Sequence, residues 1–327
     1  MSSTHKRPAK RQAGRATPAR SAGARAEAGA APRPSLYDEV TDRIIAELEG
    51  GRVPWVQPWG RRGGATAALP RNAASKRPYS GINVLILWGA VIERAYPSQD
   101  WLTFQQAQQL GGMVRKGERG TQVVFADRFT PQDEKARASE QHCEPRTIPF
   151  LKRFTLFNVA QCEGLGGCDG DPAPLAEPAV VAVGEALIHA SGVEYQIGGN
   201  RAFYAPILDF VQVPPPCAFF DRINYYRTAL HELTHATGHA TRLGRDLSHA
   251  FGSAGYAREE LVAELGSAFL CASLGIVPTV RHCDYLACWL DLLKGDNRAI
   301  FRAASAARKA ADWLLARLAE APAEAAS

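Results

Sequence analysis

Hydrophobic periodicity along the chain begins near Leu36, where Tyr37, Val40, Ile44 and Leu48 recur at intervals of three and four ahead of Gly50-Gly51. That spacing lines one stripe of a helix, and the glycine pair stops it. Pro54-Trp55-Val56-Gln57-Pro58-Trp59 cannot prolong the helix, because proline removes backbone donors and restrains the residue before it, so a rigid aromatic loop is predicted. Residues 82–92 are mostly apolar and read as a buried helix, and Trp101-Leu102-Thr103-Phe104 leads into a Gln-rich helical segment, Gln105–Leu110, ended by Gly111-Gly112. Thr121–Ala126 and Ile148–Val159 read as strands, and the polar, charged residues 130–147 between them as a mobile loop. Further on, the pattern gives a helix at Ala179–Ala190 and short strands around Val193–Ile197 and Arg201–Ala205. Helices then run to the C-terminus, with Tyr285, Trp289, Leu292 and Leu293 on one stripe and an Ala-rich final helix at 299–319. The expected class is α+β, with a mainly helical second half carrying a small sheet.

Composition divides this pattern into regions. Of the 327 residues, 1–34 contain no Val, Ile, Leu, Phe, Tyr or Trp, so they cannot bury enough apolar surface to offset ordering and are expected to form a disordered arm. The arm has 8 basic residues against 1 acidic. Its Lys6, Arg7, Lys10, Arg11 and Arg15 would hold nucleic acid loosely through counterion release, or serve only to keep the chain soluble. Residues 35–160 carry 17 basic and 13 acidic groups, while 161–327 carry 13 and 19, and the sign changes where Gly, Asp and Pro dominate between Cys162 and Glu177. The expected organisation is therefore an arm (1–34), a first domain (35–160), a linker (161–177) and a second domain (178–320), of which the arm and first domain suit a polyanion. No run of 18 apolar residues or secretory leader occurs, which argues against a membrane partner. Seven scattered cysteines, with no paired CxxC at Cys162 or Cys168, read as reduced thiols in a cytosolic protein.

The densest chemistry lies in His231-Glu232-Leu233-Thr234-His235. Four residues apart on a helix, the two imidazoles face one way and can share an ion, while Glu232 is offset toward the same opening. With 8 His and 19 Glu in the chain, roughly 0.01 such matches are expected by chance. A catalytic zinc takes three protein ligands and keeps a position open for water. The longer pattern HExxHxxGxxH is excluded, since Gly238 is present but position 241 is Thr241. His239 lies a turn beyond His235, past the helix-breaking Gly238. The favoured third ligand is Glu264, at the margin of an apolar stripe formed by Leu261, Val262, Leu265, Ala268 and Phe269. Glu260, placed further toward water on the same wheel, is expected as a supporting or merely solvated carboxylate. The expected cofactor is zinc or another divalent metal on His231, His235 and Glu264, with Glu232 as general base in peptide hydrolysis. Tyr256 is a guess for the oxyanion, with packing as its plainer role.

The first domain interleaves Trp55, Trp59, Tyr79, Trp88 and Trp101 with Arg61, Arg62, Lys76, Arg77, Arg115, Lys116 and Arg119. Aromatic faces stack unpaired bases and nearby cations track phosphates, which suits single strands. Trp88, inside an apolar run, is expected in the core. The remainder of this set forms the expected single-stranded DNA contacts.

Taken in order, several segments resemble one known family. Tyr37, Glu39-Val40-Thr41, Pro54-Trp55, Pro58-Trp59, Pro78-Tyr79-Ser80-Gly81-Ile82-Asn83, Trp101-Leu102-Thr103-Phe104 and Val114-Arg115-Lys116-Gly117-Glu118 resemble the N-terminal domain of ArdC-type antirestriction proteins. Tyr225-Tyr226, the 231–235 motif, Thr237-Gly238-His239, Arg242-Leu243 and Tyr256–Glu264 are similar to their zincin-like metallopeptidase domain. The resemblance spans about residues 36–318. It implies a protein of conjugative plasmids or related mobile elements that binds single-stranded DNA, protects incoming DNA from restriction, and holds metal on His231, His235 and the downstream glutamate. Related sequences are TraC-type plasmid primase proteins, although no primase site is evident here. Two alternatives remain beside this expectation: a DNA-binding or primase-associated protein whose metal is structural, and a metallopeptidase with no role at nucleic acid. A host restriction protein or another protein is the expected peptide substrate, and the long basic arm and Cys162 after Gln161 depart from the family pattern.

Overall fold

Ser35 opens the first helix with a reciprocal cap: its hydroxyl accepts from the Asp38 amide, and the Asp38 carboxylate accepts from the Ser35 amide. In the computed structural model, residues 35–55, 68–141, 143–144, 146–165, 173–277 and 285–321 are described. The expectations for the arm, for Trp59, Arg61 and Arg62, and for Cys168 lie outside them. The elements run α1 (Leu36–Glu49), β1 (Arg71–Asn72), α2 (Ile82–Arg94), β2 (Asp100–Leu102), α3 (Phe104–Gln109), β3 (Met113–Val114), β4 (Thr121–Phe129), α4 (Gln132–Gln141), β5 (Ile148–Asn158), β6 (Cys162–Glu163), α5 (Glu177–Ala190), β7 (Glu194–Ile197), β8 (Phe203–Ala205), β9 (Phe210–Val213), α6 (Arg222–Ala236), α7 (Ala254–Leu274), α8 (Leu286–Gly295) and α9 (Ala299–Glu320).

The expected helices and strands are recovered, but the structure adds the short strands β1, β2, β3 and β6, a helix and a further strand. Residues 130–147, expected as a loop, contain α4. It is sustained by charge pairing at helical spacing: Arg137 donates to Glu134 (2.8 Å) and to Gln141 (3.0 Å), and Asp133 and Glu134 sit at the positive end of the helix dipole. A third strand, β9, joins the expected pair in the second half as the centre of the order β7-β9-β8, parallel to β7 and antiparallel to β8. The first half holds the order β1-β2-β5-β4, parallel at β1–β2 and antiparallel elsewhere, and a two-stranded β3–β6 pair.

Pro34–Ser327 form one compact unit, and its core is continuous across the expected boundary near 161–177. Trp55 meets Trp289 of α8 edge to face at 5.6 Å, Trp88 of α2 meets Phe269 of α7 at 5.8 Å, and the Thr41 hydroxyl donates to the Asn297 carbonyl (2.7 Å). Helix α7 packs against α6 on one side and α9 on the other, with Ala303, Ala304, Ala307 and Ala311 of α9 buried. The α6–α7 crossing is close because Gly266 has no side chain: a Cβ there would lie 2.4 Å from Thr234 Cγ2. That approach brings the acidic positions of α7 to the histidines of α6. Among the described residues no helix is long and apolar enough to cross a membrane.

Candidate functional site

Helix α6 carries His231, Glu232 and His235 on its inward side, all largely buried, with the two imidazole rings 4.9 Å apart and nearly perpendicular. Opposite them α7, capped by Ser253 accepting from the Tyr256 amide (3.1 Å), presents Glu259, Glu260 and Glu264. Glu260 reaches both rings, with Oε2 at 3.5 Å from His231 Nε2 and Oε1 at 3.7 Å from His235 Nε2. One ligand atom from each of His231, His235 and Glu260 lies within 4.8 Å of the others, the grouping a metal ion needs.

Glu264, the expected third ligand, faces the other side of His231, with Oε2 at 3.6 Å from Nδ1. The physical reason is tertiary. Helix α7 is enclosed nearly all round, so its apolar stripe did not reveal which side meets α6; Glu260 is 8% exposed and Glu264 9%. Glu260 is therefore not the solvated residue that the helical wheel suggested. The Nδ1 of His235 likewise has a carboxylate, Glu259 Oε1 at 3.1 Å. Each ring is thus held between carboxylates, Nε2 toward the shared Glu260 and Nδ1 toward one of its own, an arrangement that fixes ring orientation and raises ligand basicity. His239 turns elsewhere, 2.8 Å from Thr241 Oγ1 and 3.7 Å from Asp209.

Glu259 and Arg245 are a pair beside the candidate site that sequence reasoning passed over. Arg245 Nη2 donates to Glu259 Oε1 (2.8 Å) and to the Thr234 carbonyl (2.7 Å), while Nη1 donates to Thr237 Oγ1 (2.8 Å). The guanidinium thus ties the end of α6 to the carboxylate that orients His235. The only signal available was the doublet Glu259-Glu260, whose first member lies one position out of phase with the presumed ligand face.

Electrostatics describe the demand of this pocket. Burial penalises the charged His231, but hydrogen bonding to Glu260 and Glu264 and the charges of Glu232 and Glu264 outweigh it and raise its pKa to about 10. Burial would push Glu260 up, yet His231 and His235 bring it down to about 2, and Glu259 is lowered by His235 and Arg245 against its own burial. Buried carboxylates in excess call for positive charge among them. Two imidazole nitrogens and a carboxylate oxygen fit a divalent ion of the zinc type. The site floors a cavity of about 660 Å³ whose walls include Arg201, Phe203, Arg227, His249 and Tyr256. Glu232 opens onto the same cavity beside the ligand group. The Tyr256 hydroxyl lies 3.2 Å from that of Tyr285, and its pKa is pushed up by burial and by hydrogen bonding to Tyr285 and Glu260.

Comparison with known proteins agrees with the two halves. Residues 34–157 match the N-terminal domain of anti-restriction factor ArdC, and 182–306 match a zincin-like metallopeptidase domain. The crystal structure of antirestriction ArdC protein from plasmid R388 in its metal-free form superimposes with a TM-score of 0.73 at 39% identity, covering 88% of this chain and 99% of that one. The chain belongs to the ArdC antirestriction family. A Mn(II)-bound structure of R388 ArdC is similar with a TM-score of 0.72 at 38% identity, over 88% of this chain and 100% of that one. The uncharacterized protein y4eC of Sinorhizobium fredii is 40% identical over 88% of this chain and 93% of its own length. DNA primase TraC of Escherichia coli is 36% identical over 86% of this chain, which spans only 27% of TraC.

Within the ArdC N-terminal region, the aromatic residues expected at DNA separate sharply. Trp55 and Trp101 are 1% and 0% exposed, packed edge to face with Trp289 and with Tyr96, and so buried that neither can stack a base. Tyr79 is half-buried, accepting from Asn72 Nδ2 (3.4 Å), with its pKa raised by burial. Lys76, Arg77, Arg115, Lys116 and Arg119 are exposed. Of these, Lys76 reaches Asp100 (3.6 Å) and Arg115 pairs with Glu118 (2.8 Å).

Proposed function

We propose that this ArdC-family chain binds single-stranded DNA through its N-terminal half and hydrolyses peptide bonds at a divalent-metal site in its C-terminal half, in the service of antirestriction for a plasmid or other mobile element. The observation that carries the peptidase reading is the convergence of His231, His235 and Glu260 beside Glu232 at the floor of an open cavity. His231 Nε2, His235 Nε2 and the Glu260 carboxylate would hold the ion, with Glu264 and Glu259 steadying the rings from behind. When bound there, zinc or a similar ion supplies Lewis acidity. Glu232 takes a proton from the attacking water and delivers it to the departing amine, the work of a general base that becomes a general acid. A purely structural metal has no use for a carboxylate placed at the cavity in this way. The DNA reading rests on the family and on the basic first half, and the TraC likeness points the same way.

Metal analysis of the purified chain beside His231→Ala tests the centre: stoichiometric divalent metal is expected in the first and none in the second. Glu232→Gln is expected to retain metal and lose proteolysis. Undiminished cleavage by that variant would remove Glu232 from the chemistry, and absence of metal from the unaltered chain would remove the peptidase reading.

A further inference from the structure

Phe104 is the first residue of α3, directly after its Thr103 cap, and is 51% exposed among glutamines. Its ring meets Phe157 of β5 edge to face, 6.4 Å between centroids. Thr155, two residues back on the same face of β5, pairs across with Gln122 of β4, whose amide donates to the threonine hydroxyl (3.0 Å). The turn between β3 and β4 descends onto this face. A Cβ on Gly120 would stand 2.4 Å from Thr155 Cγ2 and 3.1 Å from Phe157 Cε1, so glycine alone lets the turn lie so close. Lys116 and Arg119 project from that turn, both exposed, and neither side chain has an ion-pair partner among the described residues.

We propose that this face, Phe104 and Phe157 flanked by Gln122, Thr155, Lys116 and Arg119, is the platform on which single-stranded DNA stacks; the proposal rests on the reading of this half as a DNA-binding module. Phe104, exposed beside the partly buried Phe157, leaves a ring in water that gains little inside the fold, whereas bases of a single strand supply flat partners for it. The two unpaired cations match the phosphates of such a strand, and the amide and hydroxyl between them suit base edges without selecting one. A duplex buries its base faces and fits poorly. A second aromatic pair, Phe125 and Phe154, both exposed, lies on the opposite face of the same strands with rings 6.2 Å apart, which makes it an internal control.

The test is fluorescence anisotropy of a labelled single-stranded oligonucleotide of mixed sequence with the full-length protein, repeated with its duplex. Phe104→Ala is expected to weaken binding about 5- to 100-fold, and Phe104→Trp to restore it. Lys116→Gln with Arg119→Gln is expected to reduce the slope of log affinity against log salt by about 1.4, the loss of two phosphate contacts. Phe125→Ala is expected to bind as the unaltered chain does. Unchanged affinity in Phe104→Ala, or a loss carried by Phe125→Ala, overturns this platform while leaving the DNA module intact. No binding by the unaltered chain removes the module itself and the platform with it. Should Phe104→Ala lose its cooperative melt, the salt slope of the Lys116 and Arg119 variant decides alone.

Discussion

The carboxylate at position 260 and the one at 264 are a single helical turn apart, and the structure gives them different neighbours. Replacing Glu260 with Gln is therefore expected to abolish tight metal binding, since a carboxamide is a poor ligand. Glu264→Gln, on the far side of His231, is expected to weaken it about 10- to 100-fold. Arg245→Gln belongs with the second group: Glu259 loses its counter-ion and His235 its fixed orientation, although Arg245 touches neither ring. Titration with a chromophoric cobalt or zinc competitor reads all three. If Glu264→Gln abolishes binding while Glu260→Gln does not, the third ligand is Glu264 after all.

At the level of elements, the site depends on how closely α6 and α7 cross. Gly266→Ala forces Thr234 Cγ2 aside and is expected to cost about 1–3 kcal/mol in a denaturant melt, with weakened metal affinity as the helices part. Thr234→Ser removes the offending methyl yet keeps the hydroxyl that donates to the Leu230 carbonyl (2.8 Å), so it is expected to recover much of the loss. A Gly266→Ala chain as stable as its parent would show that the crossing has slack. This crossing also explains what the sequence disclosed. The pair His231 and His235 was legible because four-residue spacing is a property of one helix. The choice between Glu260 and Glu264 was not, because it depends on the angle at which a second helix arrives, which Gly266 and Thr234 set together. Composition likewise marked the first half as aromatic and basic without telling Trp55, sealed by Trp289, from Phe104, left bare; a lone phenylalanine opening a glutamine-rich helix was the available hint. Helix α4 was hidden because its stability comes from charge pairs and not from an apolar stripe.

For the whole molecule, the shared core determines how the halves behave. Trp55 on Trp289 and Trp88 on Phe269 tie the ArdC N-terminal half to the helices of the zincin-like half, so residues Pro34–Ser327 are expected to unfold in a single calorimetric transition. Two separated transitions would show that each half folds alone. Chelation is expected to lower the temperature of that one transition, because an ion that binds only the folded chain stabilises all of it by mass action. The contact of Trp88 with Phe269 has a further effect, since the helix bearing Glu260 leans on an indole contributed by the opposite half. A chimera that transplants the histidine-lined cleft onto a foreign scaffold must bring that indole along or fill its footprint; without it, the acidic wall of the cleft loses its backing and tilts away from the imidazoles.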